Sequence, residues 1–222
     1  MIITDPSVEI LTPINGREIL EIIESCGRVC YRSVASCGSA EKFVKAIVDR
    51  GHDAVLEHYN ITVKFVCDRG VSHEIVRHRL ASYCQESTRY CNYAGDRFGN
   101  ELTFIRPCFW DSMSQEKSIW VEAMKNAEKA YMELIEAGAK PEHARSVLPN
   151  SLKTELVMTA NLREWRHFLK LRTAPDAHPQ MRQVACMLLE QFRKTIPVVF
   201  DEIGTAEQEE QEEQEEEEET GI

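Results

Sequence analysis

The sequence predicts an α+β domain of mixed helices around a small antiparallel sheet. Three observations predict it. Apolar residues recur every three or four positions in several long stretches. They alternate strictly with polar residues around position 63. A second short apolar run stands far from the first, at 156–160, with helix-like stretches between the two.

Taken in order, Gly16 to Tyr31 reads as a helix on the stripe Ile19, Ile22, Ile23 and Val29. Ser39 stands where it would cap a second helix carrying Phe43, Val44, Ile47 and Val48, and Gly51 would end it. Ile61, Val63 and Phe65 alternate with Thr62 and Lys64, predicting a strand over 59–67. Gly70 breaks that pattern. Val71 to Leu80 then reads as a helix, and polar 81–100 as an ordered loop. Residues 102–107 read as a strand. Ser112 and Gln115 have capping-box spacing before a helix bearing Trp120, Met124, Ala127, Tyr131 and Leu134, which stops at Gly138. Pro141 can open a short helix that ends before Pro149. Leu156 to Ala160 reads as a strand. Asn161 caps a helix through Arg172. Pro179 opens a last helix with Met181, Ala185, Leu188 and Phe192 on its apolar face, ending before Pro197.

The chain has 222 residues and is 43% hydrophobic, enough for one domain with a sizeable core, expected over 1–200. The net charge of −11 misleads. Twelve of the 37 acidic residues lie in 201–222, which holds no Lys or Arg, leaving 25 against 26 basic residues. Residues 201–222 therefore read as a disordered, self-repelling tail, either solubilising or able to meet a basic partner. The near-neutral body argues against a nucleic-acid-binding module, which would carry a broad basic patch. No apolar run approaches the ~18 residues of a membrane span. Met1 to Pro6 lack the layout of a signal peptide, so a cytoplasmic location is expected. The eight cysteines form no Cys-x-x-Cys pair and read as reduced thiols, mostly buried as small hydrophobes.

The chemistry is concentrated in Arg77 to Tyr90. Three arginines, a histidine, two serines, a glutamine and two tyrosines fall within fourteen residues. Guanidinium forks and hydroxyls grip phosphates and planar rings, and Ser87, Thr88 and Arg89 form a compact anion grip. An ion-pairing surface helix is the competing reading. His73 and His78 resemble a zinc-protease pair, but five residues place them about 140° apart on a helix, so no metal site is expected.

Arg77-His78-Arg79, then seven residues, then Ser87 followed by Arg89-Tyr90, resembles the signature of the flavin-dependent thymidylate synthases. Three further blocks resemble that family in the same order: Gly51 to His58, Ala144 to Pro149, and Asn161 to Arg172. The resemblance covers roughly residues 15 to 200 and leaves the acidic tail outside.

The resemblance implies synthesis of dTMP from dUMP. Methylenetetrahydrofolate would donate the carbon, reduced FAD the hydride, and NADPH would regenerate the flavin. It implies a homotetramer with shared active sites and no catalytic cysteine, so Cys84 within the motif is a tolerated substitution. Arg172 takes the catalytic position, stabilising negative charge on the uracil ring. The flavin contacts fall at His52, Arg77, His78, Arg79, Gln85, Asn161, Leu162, Arg163 and His167. The dUMP contacts fall at Gln85, Glu86, Ser87, Thr88, Arg89, Arg145 and Arg172. Glu74, Ile75, Val76 and Arg77 would reach dUMP from a neighbouring subunit. Two departures concern the flavin grip. Ala54 stands where many relatives carry a hydroxyl. His167 replaces an asparagine of some relatives and would carry a pH-dependent charge.

Overall fold

The computed structural model describes residues 1–204. Strands are β1 (Ile2–Thr4), β2 (Ser7–Ile10), β3 (Asn60–Asp68), β4 (Ala81–Gln85), β5 (Thr103–Ile105) and β6 (Lys153–Asn161). Helices are α1 (Gly16–Tyr31), α2 (Ala40–Asp49), α3 (Arg69–Ile75), α4 (Gln115–Glu136), α5 (Pro141–Ala144), α6 (Leu162–Arg172) and α7 (Pro179–Thr195). Tight 3-10 turns cover 53–58, 96–98 and 145–147. Four strands form the small antiparallel sheet, in the order β2-β3-β6-β4. Strands β1 and β5 form a separate parallel pair, with Ile2 opposite Thr103 and Thr4 opposite Ile105. The α+β architecture is the expected one.

The chain forms two compact units. Among the described residues, the first comprises 1–8, 64–79 and 83–158, and the second 9–63, 80–82 and 159–204. In the first unit, Leu102, Phe104, Trp120, Met124, Tyr131 and Leu152 form the centre of a core with Tyr93. Helix α4 starts at Ser114, whose Oγ accepts from the Lys117 amide at 3.2 Å. The cap is therefore Ser114, and Ser112 of the expected capping box lies two residues outside. The helix stops at Ala137, and Gly138 (φ 90°) takes the left-handed conformation that costs a glycine little.

In the second unit, Asn161 accepts from the Glu164 amide at 2.9 Å and opens α6. Trp165 lies on the buried face of α6 at 0% exposure, edge-on to Phe168 (5.6 Å) and Phe192 (5.7 Å), and donates from Nε1 to the Ile61 carbonyl at 3.1 Å. Trp165→Ala should cost about 3–5 kcal/mol through lost burial and the cavity left behind. Urea unfolding checks this, and a loss below ~1 kcal/mol would show that Trp165 is not the keystone of α6. Helix α1 approaches α2 closely at Gly27, where an added Cβ would stand 2.7 Å from the Phe43 ring.

Three further expectations need correcting. Helix α3 ends at Ile75, not Leu80. The Tyr83 hydroxyl donates to the carbonyls of Ile75 (3.1 Å) and His78 (2.7 Å), which satisfies groups a longer helix would have bonded. Residues 81–85, expected as loop, form edge strand β4. Its polar side chains carry no apolar alternation, so the strand left no periodic signal. Of the eight cysteines only Cys67 is buried, while Cys30, Cys37, Cys84 and Cys108 are exposed. Burial beside Asp68 pushes the Cys67 thiol up to about 12.

The expected tail lies outside the described residues from 205 on. Before it, Ile203 is buried, Glu202 pairs with Arg166, and the Gly204 carbonyl accepts from the Thr173 hydroxyl at 3.1 Å. Among the described residues no helix is long and apolar enough to cross a membrane.

Candidate active site

The first unit assembles the anion grip. Strand β4 delivers the chain to Glu86, whose amide donates to the Glu155 carbonyl at 2.9 Å. The Ser87 carbonyl then accepts from the amides of Tyr90 (3.1 Å) and Cys91 (2.9 Å), closing a tight turn. The Ser87 hydroxyl accepts from the Arg89 amide at 3.3 Å. Thr88 is buried, and its hydroxyl accepts from Arg145 Nη1 at 3.4 Å, across 57 residues of sequence. The Arg89 guanidinium lies 5.4 Å from the Tyr90 ring centroid and is exposed, as is Arg145. Two exposed forks thus stand beside the two hydroxyls of one turn, the kind of donor set an anion needs.

Other expected residues are engaged within the fold. Gln85 donates to Ser72 Oγ (2.8 Å) and Thr154 Oγ1 (3.3 Å). Glu86 accepts from Tyr93 Oη (2.7 Å) and Lys153 Nζ (3.2 Å). Ile75 and His78 are buried, while Val76, Arg77 and Arg79 are exposed and Glu74 is half-buried. Helix α3 carries His73 but ends before His78, so the zinc-like pair does not share a helix. Among the described residues no three His, Cys, Asp or Glu side chains are placed to hold a metal.

Ion pairs back the turn. Lys153 meets Glu155 at 2.6 Å, and Lys64 meets it at 2.8 Å. These lysines hold the Glu155 carboxyl below its ordinary value of 4.5. Glu155 thus binds its proton less readily folded than unfolded. Its contribution to stability is present above the ordinary carboxylate value and lost as pH falls through the lowered folded value. The stability gap between wild type and Glu155→Gln should shrink on acidification below about pH 4.5. Urea midpoints across that range check it, and a widening gap would refute it.

The second unit assembles a cleft of about 450 Å³ walled by Asn161, Arg163, His167, Leu80, Glu57 and Lys170. Arg163 and His167, one helical turn apart, both reach the surface of α6. Glu57 sits 2.5 Å from Arg163 and holds its guanidinium above the ordinary value. Burial pushes the nearby Glu164 carboxyl up, against the opposing influence of His167. Leu80 is 82% exposed yet adopts φ 65°, a left-handed conformation that strains a leucine. A second cleft of about 370 Å³ joins His52 and Ala54 to the same Arg163. Leu162 is fully buried and its amide donates to the Tyr59 carbonyl at 3.0 Å, so it is engaged within the fold. Arg172 is half-buried in the last turn of α6. Sequence reasoning missed Lys153 and Tyr93, which sit outside the blocks that resemble the family, and Glu57, which lies inside the Gly51 to His58 block but was given no role.

These clefts and their residues lie within a chain whose positions 15–198 match the thymidylate synthase complementing protein family, to which it therefore belongs. A flavin-dependent thymidylate synthase of Geobacter sulfurreducens is 33% identical over 80% of this chain and 78% of its own. One from Pyrococcus abyssi is 36% identical over 80% and 76%. In fold, the chain is similar to a UMP/dUMP methylase PolB from Streptomyces cacaoi solved with 5-Br dUMP. The TM-score is 0.73 at 24% identity, covering 90% of this chain and 96% of that one.

Proposed function

We propose that this chain is a flavin-dependent thymidylate synthase. It makes dTMP from dUMP, with methylenetetrahydrofolate as carbon donor and FAD and NADPH as reductant. The observation that carries the reading, beside family membership, is the meeting of Arg145 with Thr88 at the Ser87–Arg89 turn. Two blocks with no local reason to touch supply one anion grip.

In this reading Ser87, Thr88, Arg89 and Arg145 hold the dUMP phosphate. Arg172 stabilises negative charge on N3 and the carbonyls of the uracil ring, which makes C5 nucleophilic. Asn161, Arg163 and His167 hold FAD, with His52 beside it and the buried Leu162 as a support. A cationic fork with neighbouring donors along an open cleft suits a dinucleotide phosphate. FAD, when bound, supplies the hydride that completes the methyl group. Arg77, His78, Arg79 and Gln85 complete the flavin contacts, the buried His78 and the engaged Gln85 through backbone or as supports. Glu74, Ile75, Val76 and Arg77 serve a neighbouring subunit of a homotetramer with shared sites, Ile75 through its backbone. The enzyme works in the cytoplasm on small molecules, without nucleic-acid or membrane partners.

The test is an assay for dTMP on flavin-stripped protein, supplied with dUMP, methylenetetrahydrofolate, NADPH and FAD. Omitting any one should stop the reaction, and protein loaded with FAD should be yellow. A colourless protein that takes up no FAD and binds RNA would overturn the reading.

A further inference from the structure

Successive residues of a strand point to opposite faces, so Gln85 and Glu86 leave the end of β4 in opposite directions. Both are held. Gln85 is bonded to Ser72 and Thr154, as described above. On the other face, Glu86 Oε1 accepts from Tyr93 Oη at 2.7 Å and Oε2 from Lys153 Nζ at 3.2 Å. Glu86 and Tyr93 bracket the turn that carries Ser87, Thr88 and Arg89, and their bond clasps it shut. Tyr93 is itself fixed. Its amide donates to Tyr131 Oη at 3.3 Å, and its ring packs on Phe98 and Tyr131 at 5.4 and 5.8 Å. Lys153 ties the clasp to β6, where it also holds Glu155 at 2.6 Å. The Lys153 and Glu86 side chains are only 22% and 15% exposed, so removing the lysine leaves a largely buried carboxylate uncompensated.

We propose that Lys153 and Tyr93 are positioning residues for the dUMP phosphate, fixing Glu86 and through it the Ser87–Arg89 turn. The proposal rests on the thymidylate synthase reading and deepens it. Neither residue need touch the ligand. A turn displaced by about an ångström loses directional, charge-assisted hydrogen bonds, so the effect falls on dUMP and not on flavin.

The test uses the full chain loaded with FAD. Affinity for dUMP is measured by calorimetry, kcat and KM for dUMP by dTMP formation, and flavin function by NADPH oxidation without dUMP. Lys153→Met should weaken dUMP binding and raise its KM about tenfold, with kcat within about twofold. Lys153→Arg should recover most of this, and Tyr93→Phe should lose about threefold. FAD content and NADPH oxidation should match wild type in all three. Unchanged dUMP affinity in both Lys153→Met and Tyr93→Phe would overturn the proposal. So would an equal loss of FAD content, which assigns the network to stability alone. A wild type that forms no dTMP overturns the parent reading instead, before any variant is compared.

Discussion

Arg172→Ala should abolish dTMP formation while leaving FAD-dependent NADPH oxidation largely intact. In the proposed function Arg172 opposes the charge that develops on the uracil ring during carbon transfer, so on that reading its removal should cost at least about 100- to 1,000-fold in dTMP turnover. NADPH oxidation needs no uracil and should proceed without it. Arg172 is half-buried in the last turn of α6, where a cation also suits the helix dipole. Melting temperature therefore belongs beside the kinetics. Arg172→Lys keeps the charge but loses the planar fork and should recover activity only in part. An Arg172→Ala protein that forms dTMP at the wild-type rate would remove Arg172 from the chemistry.

Arg145→Ala should raise the KM for dUMP by about 30-fold or more, with a smaller effect on kcat. That corresponds to roughly 2 kcal/mol, the scale of a lost charge-assisted contact to phosphate. The side chain is exposed and holds Thr88 at 3.4 Å, so its loss leaves the core untouched but costs the turn a partner as well as a fork. Thr88→Val should show a milder rise. Steady-state kinetics with dUMP and NADPH varied separately check this. A KM that moves for NADPH but not for dUMP would place Arg145 elsewhere.

Much of this site was legible because its signals are local. The Asn161 cap, the α6 stripe and the Arg163–His167 spacing each involve residues within a few positions of one another. The structure reproduces α1 and α6 over the expected residues. Where local signals were weak the expectations slipped. No Gly or Pro marks the end of α3. Past that end the Ile75 carbonyl accepts from the Tyr83 hydroxyl, eight residues away. Strand β4 shows no apolar alternation because it lies at the sheet edge with alternately exposed polar side chains. Strands β1 and β5 pair across a gap of about a hundred residues, and neither is long enough to announce the other.

The sequence by itself determined the α+β class, the helix that Asn161 caps and that carries Arg163, His167 and Arg172, and the family through the spacing around Arg77 to Tyr90. Capping, periodicity and motif spacing all act over one or two turns of chain, and a sequence reader sees that distance. Only the tertiary structure brought Arg145 to Thr88 and Lys153 to Glu86, pairs 57 and 67 residues apart. Those meetings depend on where β4 and β6 stand in the sheet and where α5 ends, and both are settled by long-range packing. Tertiary structure also divided the labour inside the motif. It turned the half-buried Gln85 and Glu86 in opposite directions, each bonded as a support, and left Arg89 and Arg145 in solvent, because a largely buried carboxylate or amide must be paired while an exposed guanidinium can wait for its anion.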